Sequence, residues 1–415
     1  MNDPFCQQTL SNGLRVVIEQ MPGVRSAAAG FLARTGARDE TREVAGISHF
    51  VEHMCFKGTD NRDWRAISVA FDDLGSQYNA FTSEDRTFYY GWLRRDDIEA
   101  QIELLADLVR PTFPQDQFDT EKNVILEEIA MSKDSLEHVA LDFLQERVFE
   151  GHPLAWPILG YEETVSKMTR DQLAAYLQRR YAPDNLILVV AGNVEPEKII
   201  EIAERYCGKW EPAGDSLTTD RRTVPEIRAG SATHVVERFN QQLVALNFPG
   251  PRADDALDET AFAATSILGG NNSRFFWNIV QVGLSPHAAV YRYDLADCGL
   301  MILAGQAEPD RIAELTEAMR AEAHNICTER VEESEVQRVK NLRRTSLATE
   351  AESPYHRLVQ IMHDVDYRGA PRTVAQRLAA VDAVTVDSVA ELFQHYPIDR
   401  NGYFISVGPR NWPEA

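Results

Sequence analysis

Residues 46–59 read Gly46-Ile-Ser-His-Phe-Val-Glu-His-Met-Cys-Phe-Lys-Gly-Thr59. Apolar residues recur at Ile47, Phe50, Val51, Met54 and Cys55, the stripe of an amphipathic helix. On that helix His49 and His53 stand one turn apart on the same face, where two imidazoles can bind one metal ion. Glu52 falls beside them without sharing their position, so its carboxylate can take a proton from a metal-bound water. Zinc suits such a set, because a catalytic zinc takes three protein ligands and keeps the fourth position for water. The pKa of that water falls to about 7, within reach of a neighbouring carboxylate base. The bland alternative is a pair of surface histidines next to an acid.

The order H-x-x-E-H inverts the H-E-x-x-H of many zinc peptidases. A third ligand is needed, and the stretch Thr120-Glu-Lys-Asn-Val-Ile-Leu-Glu-Glu128-Ile offers it. Glu121 and Glu128 lie two turns apart on one helical face, so one can ligate while the other orients a histidine. Glu127 is rotated from Glu128 by about 100° and faces elsewhere. A solvated acidic helix face would look the same at this level.

Further outward, the chain of 415 residues, 44% of them hydrophobic, is long enough for more than one core. Its net charge of −22 repels nucleic acid and anionic membranes, which argues against polyanion partners. No apolar run approaches the roughly 18 residues needed to span a bilayer. The start, MNDPFCQQTL, has neither the basic nor the apolar region of a signal peptide, and Cys6, Cys55, Cys207, Cys298 and Cys327 show no paired spacing. Both readings point to a reducing, cytoplasmic location.

Residues 211–232, rich in Gly, Pro, Ser, Thr and charge, read as a linker between a domain at 1–210 and another at 233–415. The two halves end alike. Thr169 to Arg180, then Tyr181, then Leu186 to Ala191 and Gly192 match Thr385 to His395, then Tyr396, then Tyr403 to Val407 and Gly408. Thr169 and Thr385 are the expected helix N-caps. With β-like runs at Gly13 to Ile18, Ala27 to Leu32 and Thr87 to Trp92, the reading is an α+β fold: two homologous α/β sandwiches of about 200 residues each from a duplicated unit.

These blocks, together with Gly36-Ala-Arg-Asp-Glu40, Leu74-Gly75 and Asn79-Ala-Phe-Thr-Ser83, resemble the pitrilysin/insulinase family of zinc peptidases in its mitochondrial-processing-peptidase-like branch. The resemblance implies one zinc ion per chain held by His49, His53 and Glu128, with Glu52 as general base and Glu121 in support. It implies that Asn79 and Ala80 lie on a sheet edge that pairs with the substrate backbone. Phe50 and Phe81 are candidates for apolar subsites or for core positions.

The second half lacks H-x-x-E-H, and laying Glu121-Lys122 on Gln337-Arg338 sets Arg344 opposite Glu128. Active members of the family also carry an Arg and a Tyr, seven apart, in their C-terminal half. Aligned on Gly283-Leu284, those positions hold Ile279 and Pro286, and nearby Tyr291 and Arg292 are wrongly spaced. The resemblance therefore implies a zinc endopeptidase subunit of a heterodimer, forming half of a peptide-enclosing chamber, whose homologous partner supplies the Arg and Tyr. The alternatives are a non-catalytic, core-like assembly subunit and a protein that holds peptides without cutting them.

Overall fold

The computed structural model describes residues 4–213 and 223–412, so residues 214–222 of the expected linker lie outside the described residues. The first half runs β1 (Phe5–Thr9), β2 (Arg15–Gln20), β3 (Ser26–Ala33), α1 (Ile47–Cys55), α2 (Trp64–Leu74), β4 (Gln77–Thr82), β5 (Thr87–Arg94), α3 (Ile98–Leu108), α4 (Gln115–Ser132), α5 (Leu136–Val148), α6 (Glu162–Lys167), α7 (Arg170–Arg180), β6 (Leu186–Gly192) and α8 (Pro196–Cys207). The second half runs β7 (Gly230–Val235), β8 (Gln242–Gly250), α9 (Asp258–Gly269), β9 (His287–Asp294), β10 (Gly299–Ala307), α10 (Ile312–Thr328), α11 (Glu333–Glu350), α12 (Pro354–Tyr367), α13 (Val374–Ala383), α14 (Val386–His395) and β11 (Tyr403–Gly408).

Each half builds one sheet, in the order β1-β2-β6-β3-β5-β4 and β7-β11-β8-β10-β9. Apart from β1 the two orders correspond strand for strand, and in both the single parallel pair joins the first strand of the repeat to the last (β2 with β6, β7 with β11). The duplication expected from the matching chain ends is therefore a duplication of topology. The caps correspond too: Thr169 accepts from the Gln172 N–H at 3.3 Å and Thr385 from the Ser388 N–H at 3.0 Å, each within a capping box.

The repeat also corrects one alignment. The helices α4 and α11 both have 18 residues. Lys122 donates from Nζ to the carbonyls of Ser166 and Met168, at 3.2 and 2.7 Å. Lys340 donates to those of Asp382 and Val384, both at 2.8 Å. Each lysine satisfies the carbonyls just before its repeat's capped helix, so Lys122 corresponds to Lys340. Val339 then stands opposite Glu121 and Ser346 opposite Glu128, not Gln337 and Arg344 as read from the sequence. Arg338 and Lys340 are both cations that Lys122 can be laid on, and only their hydrogen bonds tell them apart, so the register read from sequence slips by two.

The chain forms two compact units that interleave. The first comprises the described residues within Met1–Ala130, Trp156–Arg221 and Ala348–Thr373, and the second those within Met131–Ala155, Arg222–Leu347 and Val374–Ala415. Each unit thus takes one helix from the other half of the sequence: α12 lies in the first unit and α5 in the second.

In the first unit the sheet is apolar on both faces. One face buries Val16, Ile18, Phe31, Tyr89, Leu188 and Val190 with α1 and α3. The other buries Val17, Leu32, Phe88, Ile187 and Val189 against Leu358, Ile361, Met362 and Val365 of α12. Alternation along each strand sends successive side chains to opposite faces. Charge locks α12 in place as well. Arg357, only 1% exposed, holds the Glu19 carboxylate of β2 with two hydrogen bonds of 2.7 and 2.9 Å.

No helix of the described residues is long and apolar enough to cross a membrane. Removing one partner of a buried pair strands the other without solvent. Glu19→Ala is expected to cost the first unit about 3–5 kcal/mol. Urea denaturation followed by the tryptophan and tyrosine signal measures it, and a change within error of zero would show that α12 is held by packing alone.

Candidate metal centre

The first unit positions α1 through its start. Gly46 adopts the left-handed conformation (φ 96°), and an added Cβ would meet the Leu159 carbonyl oxygen at 2.7 Å, so only glycine fits. The Gly46 and Ser48 N–H groups donate to the two oxygens of Glu40, at 2.7 and 2.8 Å. Burial pushes the Glu40 carboxyl up to about 8, against the pull of its hydrogen bonds with Ser48 and Gly46. Glu40 thereby anchors the start of α1, a task that its place in the sequence does not reveal.

Along α1 the apolar stripe is buried: Ile47, Phe50, Val51, Met54 and Cys55 all lie in the core. That fixes the opposite face, which carries His49, Glu52 and His53. The imidazoles meet edge to face with ring centroids 4.5 Å apart, and their Nε2 atoms stand 3.2 Å from each other. Glu128 of α4 brings its Oε2 to 3.8 Å from His49 Nε2 and 3.7 Å from His53 Nε2. Ligands about 2.0–2.1 Å from a tetrahedral zinc stand about 3.3 Å apart, so three donors in this triangle fit one ion after a contraction of a few tenths of an ångström. Two imidazoles and one carboxylate with an open fourth position form a donor set suited to zinc. Among the described residues this is the one such group of His, Cys, Asp and Glu.

The surroundings of the two acids that the sequence left open differ. Glu121, nearly buried, approaches His53 Nδ1 at 3.1 Å with one oxygen and the Lys57 Nζ at 2.7 Å with the other. It therefore engages the back of the imidazole and leaves Nε2 turned toward Glu128. Burial opposes charge on Glu121, but the His53 and Lys57 contacts outweigh it and hold its carboxyl below the usual range.

Burial drives His49 down to about 3, helped by His53, which keeps its ring in the neutral form that a ligand needs. Its Nδ1 is buried and has no hydrogen-bond partner among the described residues. Burial also opposes charge on His53, but the Glu121 hydrogen bond and the Glu128 and Glu52 carboxylates outweigh it and the net shift is upward. Burial raises Glu52, against a 2.5 Å hydrogen bond donated by the Thr82 hydroxyl.

The edge strand is where the resemblance implies it. β4 is the outermost strand of its sheet, with Asn79 exposed and Ala80 half-buried. The Ala80 N–H donates to Asn79 Oδ1 at 2.9 Å, so the amide side chain occupies a backbone donor of this edge. Phe81 is half-buried and packs edge-on against Phe88 and Tyr90. Phe50 requires a correction. It is fully buried and stacks on Phe118 at 5.0 Å, so it is a core residue and lines no subsite; it belongs to the apolar stripe, not the histidine face.

In the second unit, α9 carries no histidine and Ile279 is fully buried in the core. Pro286 is exposed but offers no donor, and Arg292 is held by Asp258 at 2.7 Å.

Comparison with known proteins agrees with this architecture. Residues 15–162 match the family described as Insulinase (Peptidase family M16), and residues 167–343 match Peptidase M16 inactive domain. An uncharacterized zinc protease of Mycobacterium leprae is 31% identical over 409 residues, covering 97% of this chain and 92% of that protein. Another from Bacillus subtilis is 30% identical over 384 residues, covering 92% of this chain and 93% of its own length. Among solved structures, a protease from Helicobacter pylori superposes with a TM-score of 0.91 over 98% of this chain and 99% of its own, at 19% identity, which speaks for the fold. With an inverted histidine motif in the first repeat, a matching second repeat without donors, and relatives at this identity along nearly the full length, the chain belongs to the insulinase family of peptidases.

Proposed function

We propose that the chain is a zinc-dependent endopeptidase for peptides and unfolded segments. One observation carries this reading: His49, His53 and Glu128 converge on a single point, with the Glu52 carboxylate on the same helix face and outside the donor triangle. The names of the relatives as zinc proteases support it.

Zinc bound there supplies a Lewis acid for the scissile carbonyl and lowers the pKa of a water to about 7. The remaining work falls to the chain's own groups. Glu52 accepts the proton of the attacking water and passes it to the leaving nitrogen. Its upward shift suits both tasks, since a carboxyl nearer neutrality holds and releases a proton more evenly. Glu121 orients the His53 ring. An extended peptide pairs along β4 once Asn79 Oδ1 releases the Ala80 N–H, and main-chain bonds then give affinity with little demand on sequence.

The oxyanion needs a donor, and the two second-half positions from which the resemblance implies one do not bring it. Ile279 and Pro286 stand at the positions where the family resemblance implies an Arg and a Tyr, and neither side chain can donate a hydrogen bond. We assign the chain to a heterodimer in which a homologous subunit supplies that pair and the other half of a peptide-enclosing chamber.

Two expectations follow from these roles. The purified chain binds one zinc. Glu121→Gln weakens that affinity about 10–100-fold, whereas Glu52→Gln leaves it unchanged; titration against a chelating dye with metal analysis reads both, and equal affinities for wild type and Glu121→Gln would remove the assigned support. A quenched peptide pool is then cleaved by the chain together with a homologous subunit bearing the Arg/Tyr pair, and not by the Glu52→Gln variant in the same mixture. Full turnover by the chain alone would contradict the heterodimer. Zinc binding with no turnover in either setting would favour a peptide-holding or assembly role.

A further inference from the structure

Among the described residues, the Glu52 carboxylate accepts a hydrogen bond from the Thr82 hydroxyl, and Thr82 is the last residue of the edge strand β4. The four residues after it, Ser83 to Arg86, turn the chain into β5, closed by the Ser83 N–H donating to the Arg86 carbonyl at 2.8 Å. Beyond the Thr82–Glu52 hydrogen bond, the turn is held from outside the hairpin by a second layer. The Ala37 and Arg38 N–H groups donate to the carbonyls of Ser83 and Glu84 at 3.1 and 3.0 Å. Gly36 comes so close that an added Cβ would meet the Ser83 oxygen at 2.2 Å.

The centre of this layer is Asp85, which is 1% exposed. One of its oxygens accepts from Arg38 Nη1 at 2.9 Å and the other from the Tyr367 hydroxyl at 3.0 Å. Tyr367 closes α12, and the Arg86 guanidinium lies over its ring at 4.0 Å while pairing with the neighbouring Asp366 at 3.2 Å. Arg38, Asp85, Arg86 and Asp366 are all buried charges with partners, the kind of contact that fixes one geometry at the expense of alternatives. On the other side of Thr82, the Thr87 hydroxyl donates to the Thr35 carbonyl at 3.1 Å and stands 3.4 Å from the Thr82 hydroxyl.

We propose that Thr82 is a positioning residue for the Glu52 carboxylate, and that the buried Arg38–Asp85–Tyr367 chain holds the turn that sets Thr82 in place. The inference rests on the proposed role of Glu52. By donating to Oε2, Thr82 orients the carboxylate and leaves Oε1 as the oxygen that exchanges the proton. It also links the strand that pairs with substrate to the base that acts on it. The end of a helix from the second sequence repeat thereby serves the centre in the first, which gives a reason for α12 to be lent across the repeats.

The test compares turnover of the peptide pool by wild type, Thr82→Val, Thr82→Ser and Glu52→Gln, each mixed with the same homologous subunit. Zinc content and thermal midpoint are recorded for every variant. Valine keeps the shape of threonine and removes the donor; serine keeps the donor. The inference expects Thr82→Val to lower kcat about tenfold or more at near-constant KM, zinc content and thermal midpoint, with Thr82→Ser recovering most of the loss. Tyr367→Phe, which removes one hydroxyl from Asp85, lowers kcat in the same sense and by less. If Glu52→Gln is dead while Thr82→Val stays within about twofold of wild type, the positioning role is overturned and the role of Glu52 stands. If Glu52→Gln itself retains turnover, the proposed base is wrong and this inference falls with it.

Discussion

The arrangement depends on the close approach of two imidazoles on one turn of α1, with their Nε2 atoms 3.2 Å apart and a carboxylate from α4 facing both. Two half-buried rings so close and aimed at one point are poorly served as a hydrogen-bonded pair. His49 is held neutral and its Nδ1 has no hydrogen-bond partner among the described residues, whereas His53 has Glu121 behind it. A cation relieves the conflict that the side chains create, and the surrounding helices keep the conflict in place. The buried face of α1 locks its rotation, Glu40 locks its start, and Lys57 tethers Glu121, so the donor triangle is an outcome of packing on three sides.

The duplicated fold explains why one half is furnished and the other is not. Both repeats use the same strand order, the same long helix and the same lysine bridging to the next capped helix. What differs is chemistry at corresponding points: Glu121 and Glu128 are replaced by Val339 and Ser346, and α9 has no histidine. The topology survives this loss because buried apolar strands and caps maintain it, and the donors lie on the surface left over. The exchange of α5 and α12 adds a second dependence. The first sheet's outer face is apolar, and α12 both covers it and inserts Arg357 against Glu19. The first half of the sequence made without α12 would leave that face and that carboxylate uncovered.

Much of this was legible in the sequence where local spacing determines geometry. The apolar period from Ile47 to Cys55 implies the helix, and the helix implies the histidine face. Thr169 and Thr385 read as caps because each stands before a helical run, and both are caps. Less was legible where geometry depends on distant segments. Spacing could not say which of Glu121 and Glu128 turns to the metal point, since two turns of one helix place both on the same face. Phe50 shares the motif with the histidines, and only rotation about the helix axis tells that it is core. The exchange of helices left no mark in composition, because α5 and α12 are ordinary amphipathic segments whose partners lie far along the chain. The Asp85 network was equally hidden: its members come from the loop after β3, the β4–β5 turn and the end of α12, and nothing in their separate neighbourhoods links them.

In the proposed centre, three side chains of the first repeat alone hold one zinc. X-ray absorption at the zinc edge on the zinc-loaded chain, beside its Glu128→Ala variant, tests it most directly. The account predicts a first shell of two imidazole nitrogens and one carboxylate oxygen at about 2.0–2.2 Å, with a further light atom from solvent and loss of one oxygen contribution in the variant. A shell containing sulfur, or one unchanged by Glu128→Ala, would contradict it.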